Sequence, residues 1–161
     1  MDAIRKILVP TDFSAHADEA FRVAQKLARV VGAEVVLFHI ARPPAVVSEG
    51  GKLLANPGKA DVVNLWDRFQ GMQPADAKVR VEHEVIVADI PRADHILEIL
   101  DRLGCDLIVM GTHGRSWLKH RLVGSVTEEV MRLARCPVMV VKAPAPAKEP
   151  AVPGPKEMTQ A

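Results

Sequence analysis

The sequence contains no tyrosine, and aromatic residues make up only 4% of its 161 positions. Stacking platforms for single-stranded nucleic acid need exposed aromatic rings, so this composition argues against one. An excess of one charge is also missing. Lys and Arg total 21 against 20 Asp and Glu, a formal net charge of +1. Bulk affinity for polyanions requires a basic surplus, so any anion site must be local. No apolar run approaches the roughly 18 residues needed to span a bilayer. The opening Met1-Asp2-Ala3-Ile4-Arg5-Lys6 runs directly into a strand-like segment and Pro10, unlike a secretory leader. The two cysteines, Cys105 and Cys136, form neither a CxxC nor a disulfide framework and read as buried, reduced side chains. The expectation is a cytoplasmic protein with no nucleic-acid partner and no membrane partner.

What is present is ordinary for a globular domain: 48% apolar and 25% charged residues, in a chain long enough to bury a core. Ile4 to Val9 reads as a buried strand stopped by Pro10. Ser14 is a candidate cap for a helix whose inner face is Ala20, Phe21, Ala24, Leu27, Ala28 and Val31, with Gly32 at its end. Val35 to Ile40 is a second strand. The Pro- and Gly-rich stretch from Arg42 to Gly58 reads as a long loop of the kind that forms lids or binding segments. Val62, Leu65, Trp66 and Phe69 have the spacing of a short amphipathic helix, and Val79 to Val87 alternates as a more exposed strand. Pro91 suits a first helical turn, followed by Ile96, Leu97, Leu100 and Leu103 and a stop at Gly104. A strand over Leu107 to Met110, a helix with Val126, Val130, Leu133 and Ala134 inward, and a strand over Val138 to Val141 complete the series. Strands alternating with helices imply right-handed crossovers and a mainly parallel sheet with helices on both faces. From Ala143 onward five of the 12 prolines crowd into a tail with too little apolar surface to order itself.

Ligands of open parallel sheets bind beyond the carboxyl ends of the strands. The richest segment at such an end is Met110-Gly111-Thr112-His113-Gly114-Arg115-Ser116, running on through Lys119-His120-Arg121 to Gly124-Ser125-Val126-Thr127. Glycines let backbone N–H groups approach an anion, a helix beginning near Ser125 turns its positive end to the same place, and cationic side chains lie between. That combination suits a polyphosphate. The spacing is neither a Walker loop nor GxGxxG. A plainer account also fits, in which Ser125-Val126-Thr127-Glu128 is a capping box and the glycines serve turns. Asp12 is either a ligand or a carboxylate favoured by a helix start. His39 reads as a hydrogen-bonded core residue; His16, His83 and His95 have no metal-ligand spacing, and His113 and His120 no carboxylate partner.

Gly111-x2-Gly114-x9-Gly124-Ser125 resembles the G-2x-G-9x-G-S/T motif of the nucleotide-binding universal stress proteins. Thr11-Asp12-Phe13-Ser14, Cys105-Asp106-Leu107-Ile108-Val109-Met110-Gly111 and Cys136-Pro137-Val138-Met139-Val140-Val141 are similar to other stretches of that family, and the likeness spans roughly residues 4 to 142. The resemblance implies a domain over residues 1–142, outside the tail of 143–161. It implies a Rossmann-like, adenine nucleotide alpha hydrolase-like α/β fold with an open five-stranded parallel sheet in the order 3-2-1-4-5. ATP would lie between the first and fourth strands, with Mg2+ or Mn2+ held through its phosphates and no protein-made metal site. Pro10, Asp12 and Ile40 would line the adenine and ribose side, with Met110 beside the ribose. Gly111, Gly114, Arg115, Ser116, Gly124, Ser125 and Val126 would hold the phosphates. The family's frequent Gly-x-Pro turn is replaced here by Ala88-Asp89-Ile90-Pro91.

The function implied is that of an ATP-binding stress-response regulator, a homodimer through the edge strand Val138 to Val141, acting on an unidentified protein partner. Nucleotide occupancy would bias the Arg42–Gly58 loop and the 112–123 segment. Two alternatives stand beside it. One is slow ATP hydrolysis or self-phosphorylation on Ser116, Ser125 or Thr127, for which Arg115 and Lys119 supply charge but only Asp12 or His113 offers a base. The other is a nucleotide-free interaction scaffold.

Overall fold

Among the described residues four α-helices and seven strands follow one another, and the strands form one main sheet and one small ribbon. The computed structural model describes residues 3–41, 47–49, 52–54, 59–72, 74, 77–88, 90, 92–112 and 124–143, with the backbone alone at 47–49, 52–54 and 59–63. The elements are β1 (Lys6–Thr11), α1 (Ala15–Val31), β2 (Glu34–Ala41), β3 (Val47–Glu49), β4 (Lys52–Leu54), α2 (Lys59–Gly71), β5 (Val81–Val87), α3 (Ala93–Leu103), β6 (Leu107–Gly111), α4 (Ser125–Leu133) and β7 (Val138–Val141). The main sheet has the order β5-β2-β1-β6-β7, every pairing parallel. Numbered without the ribbon strands, that is the expected 3-2-1-4-5.

Residue alternation explains the two covered faces. On β1, β2 and β6 the odd positions Ile7, Val9, Val35, Leu37, Leu107 and Val109 pack with α1 and Phe69. The even positions Leu8, Val36, Phe38, Ile108 and Met110 pack with α3 and Val130 of α4. A strand apolar on both sides needs both faces covered, which is why these runs are continuous rather than alternating.

Several expectations shift. The long Arg42–Gly58 loop contains an antiparallel ribbon, β3 against β4, with Val47 opposite Leu54. Val31 and Leu133, assigned to inner helix faces, are exposed. Pro91, Val62's side chain and residues 144–161 lie outside the described residues.

Pro10 does not stop β1; it lies within the strand, opposite Phe38 of β2. The carbonyl of Lys6 accepts from Asp106 N–H, so even positions of β1 turn their backbone groups toward β6. Pro10 is two such places further on, and its missing N–H falls on that side. Pairing of β1 with β6 is correspondingly short, Ile7 with Leu107 and Leu8 with Ile108, whereas β1 pairs with β2 over all six residues. Below, the same two strands are tied together. Asp106 accepts backbone N–H groups of Arg5 (2.8 Å) and Lys6 (3.0 Å), and these bonds hold its carboxyl below the usual carboxylate range.

Candidate functional site

The chain passes from β1 outward to β2 and β5, then returns to β6 on β1's other side. The reversal lies between β1 and β6, the two strands that part above Leu8 and Ile108. A crevice at the carboxyl ends of parallel strands, at such a reversal, is where open α/β sheets bind ligands.

One wall is the β1–α1 turn. Thr11 Oγ1 accepts from Phe13 N–H at 3.0 Å, Asp12 Oδ1 from Ser14 N–H at 3.1 Å, and Ser14 Oγ caps α1 by accepting from Ala17 N–H at 3.3 Å. Phe13 has φ of 60°, a left-handed conformation that is uncommon for an aromatic residue. Its ring is held by neighbours from two other elements. The Arg68 guanidinium lies 4.3 Å from the ring centroid, with His39 at 4.6 Å and Phe69 at 5.3 Å. His39 in turn bonds the Thr11 carbonyl through Nδ1 at 2.7 Å, the hydrogen-bonded role expected of it, although it is half-buried and not in the core.

The facing wall is the end of β6 with the start of α4. Gly124 N–H donates to the Thr112 carbonyl (2.7 Å), and Thr127 Oγ1 donates to the Gly111 carbonyl (3.1 Å). The helix begins at Ser125, so its N-cap is Gly124 and not Ser125, and Gly124 has no side chain with which to cap it. This overturns the capping-box account of Ser125. Gly124 has φ −67° and ψ 152°, which any residue adopts, so its backbone conformation does not demand glycine. An uncapped first turn leaves N–H groups for another acceptor, and a bound anion can supply it.

Gly111 has a different explanation. A Cβ built there would stand 2.8 Å from the backbone carbon of His16 in the first turn of α1. Glycine at this position is required by the close approach of that helix, whatever binds above it.

The sheet therefore brings Pro10 and Asp12 at the end of β1 beside Met110 and Gly111 at the end of β6, with Gly124, Ser125 and Val126 seated on the latter. Ile40, near the end of β2, and Met110 pack on the α3/α4 side. Gly114, Arg115, Ser116, His113 and His120 lie outside the described residues. Thr127 is 5% exposed with its hydroxyl engaged, which removes it as a phosphoryl acceptor. Of the two cysteines, both expected to be buried, Cys105 is buried and Cys136 is half-buried. Burial pushes the Cys105 thiol up to about 11 and raises that of Cys136, so little thiolate forms near neutrality.

Two residues beside the candidate site come together that the sequence does not connect. Thr112 and His16 meet at 3.2 Å, Oγ1 to Nδ1, across 96 positions, and nothing local announces such a contact.

A doubly wound parallel sheet opened at its reversal, with the amino ends of α1 and α4 beside it, defines an α/β protein of Rossmann-like architecture. The match to the universal stress protein family model runs over residues 3–142, and the chain belongs to that family. It is 31% identical over 154 residues to the universal stress protein MJ0577 of Methanocaldococcus jannaschii, covering 86% of this chain and 94% of that one. The solved structure of MJ0577 superimposes with a TM-score of 0.74 at 30% identity, covering 90% of this chain and all of the other. The universal stress protein UspA of Lactobacillus plantarum gives 0.73 at 24% identity, over 88% and 99% of the two chains. A universal stress protein solved in complex with cAMP gives 0.60 at 25% identity, over 89% and 100%.

Proposed function

We propose that this protein binds an adenine nucleotide, ATP in particular, in the crevice between β1 and β6, and acts as a nucleotide-dependent regulator in the stress response. The observation that carries the reading is the uncapped amino end of α4, seated on the carboxyl end of β6 where β6 has parted from β1. A relative at 25% identity is described as a complex with cAMP, which supports an adenine nucleotide as the ligand class.

In this reading Pro10, Asp12 and Ile40 line the adenine and ribose side, and Met110 lies beside the ribose. The phosphates are held by Gly111, Gly114, Arg115, Ser116, Gly124, Ser125 and Val126. Their charge is met by backbone N–H groups and the helix dipole, which need no large basic patch. The chain's net charge of +1 agrees with such a local site. The absence of a side chain at Gly124, whose backbone does not itself demand glycine, fits a phosphate group there. Among the described residues no group of three or more His, Cys, Asp or Glu offers a protein-made metal cage. Mg2+ or Mn2+ would arrive on the phosphates and neutralise part of their charge. No helix among the described residues is long and apolar enough to cross a membrane. We place the protein in the cytoplasm, as a homodimer formed through β7, with residues 1–142 as the nucleotide domain and 143–161 as a Pro-rich appendage.

The test is calorimetric titration with ATP and Mg2+, beside a Gly114→Ala, Gly124→Ala double variant. Binding by the parent and its loss in the variant are expected. No heat in the parent, with no nucleotide released when the purified protein is denatured, would overturn the reading.

A further inference from the structure

His16 lies in the first turn of α1 and is not among the nucleotide-lining residues named above, yet three parts of the molecule meet at it. Its Nδ1 is 3.2 Å from Thr112 Oγ1 and 3.2 Å from the backbone nitrogen of Ala143. Its own backbone stands against Gly111 so closely that a Cβ there would come within 2.8 Å. A backbone N–H only donates, so the contact with Ala143 requires Nδ1 to carry its lone pair and the ring proton to sit on Nε2. The Thr112 hydroxyl then donates to the same lone pair.

Thr112 is held from every side. Its N–H donates to the carbonyl of Val141 in β7 (2.9 Å), its carbonyl accepts from Gly124 N–H (2.7 Å), and its hydroxyl goes to His16. The two roots of the glycine segment, residues 112 and 124, are thus closed on each other. They are fastened to the edge strand by one backbone bond and by the imidazole. Ala143 is the second residue after that strand.

We infer that His16 is a positioning residue that couples the nucleotide site to the exit of β7, so that a ligand held from the roots at Thr112 and Gly124 also secures residues 141–143. This rests on the nucleotide reading above and adds to it a route by which occupancy reaches the edge strand and the chain that follows. Linkage makes the effect reciprocal: whatever seats Ala143 tightens nucleotide binding by the same factor.

The Ala143 amide reads the contact directly, through its hydrogen-exchange rate in 15N-labelled full-length protein. Three variants separate the roles. His16→Leu keeps bulk but has no acceptor, His16→Asn retains an acceptor oxygen near the place of Nδ1, and Thr112→Val removes the hydroxyl alone. The Leu8 amide in the central strand serves as the control for global unfolding. Without nucleotide, His16→Leu should speed exchange at Ala143 roughly fivefold, the equivalent of one ordinary net hydrogen bond, and His16→Asn should restore it. Saturation with a non-hydrolysable ATP analogue and Mg2+ should slow exchange further in the parent and in His16→Asn, but not in His16→Leu or Thr112→Val. Equal Ala143 rates in nucleotide-free parent and His16→Leu would overturn the contact. Calorimetrically confirmed binding that leaves Ala143 unchanged in the parent would overturn the coupling. If the analogue gives no heat, the nucleotide reading has failed and takes the coupling with it. The nucleotide-free variants then still decide whether His16 holds residue 143.

Discussion

Gly111 and Gly124 belong to one spaced motif but are glycines for different reasons. At 111 the neighbour is protein: a Cβ there would stand 2.8 Å from the backbone of His16. At 124 neither backbone angle demands glycine, and the helix it opens has no side-chain cap. The pattern in the sequence treats the two alike, because spacing records only that glycine is present. His83 shows the same limit. Its ring lies 5.0 Å from Phe69 and 6.2 Å from Trp66, and its Nε2 is buried without a partner among the described residues. Burial lowers its pKa below the ordinary histidine value. The folded protein then favours the neutral ring more than the unfolded chain does. Stability from this site is present above about pH 6.5 and is lost as pH falls through the unfolded value toward the lowered folded one. His83→Phe should leave the protein at least as stable at neutral pH and should flatten the fall in urea midpoint between roughly pH 7.5 and 5.5. A variant with the same pH slope as the parent would rule out His83 as a source of that slope.

Among the elements, the cap of α1 and the glycine stops of α1 and α3 were legible, because they depend on a few adjacent residues, whereas the Pro10 stop and the Ser125 cap were not. Ser14 caps α1, and Gly32 and Gly104 end α1 and α3 with φ of 74° and 62°, as their positions in the sequence suggested. The strand and helix series followed from periodicity for the same reason. The β3–β4 ribbon was missed although Gly50-Gly51 separates its strands, a two-residue connection typical of hairpins. Its flanks were too short for alternation to register. Leu133 matched an inner helical face but is exposed at the last residue of α4, whereas Val126, Val130 and Ala134 pack inward as expected. Helix α4 is joined to β6 through the Thr127 hydroxyl, buried and donated to the Gly111 carbonyl. Thr127→Val keeps the shape and leaves that carbonyl unpaired, so a loss of about 1 kcal/mol in urea-unfolding free energy is expected, with Thr127→Ser losing less. Equal stability of Thr127→Val and the parent would show that the bond contributes nothing net.

For the molecule as a whole, β5 and β7 are the two edges of the sheet, and β7 carries the exposed Met139. The carbonyls of Pro137 and Val141 accept from β6, so the odd positions of β7 face inward and Val140 turns its backbone groups to the free edge. If two copies pair through this edge about a twofold axis, Val140→Pro removes an outward N–H without costing a bond to β6. Sedimentation at micromolar concentration should show a dimer for the parent and a monomer for the variant. A monomeric parent would refute pairing through β7.

The alternation of strands and helices, the cap of α1 and the glycine stops of α1 and α3 were determined by the sequence itself, because each depends on neighbours within a turn or two of the chain. Tertiary structure alone decided that Pro10 lies inside its strand, on the side where β6 departs, and so opens the crevice. It alone brought His16 to Thr112 and Ala143, 96 and 127 positions away. Such contacts depend on which strand lies beside which and on how closely α1 approaches β6. Local periodicity carries no record of either.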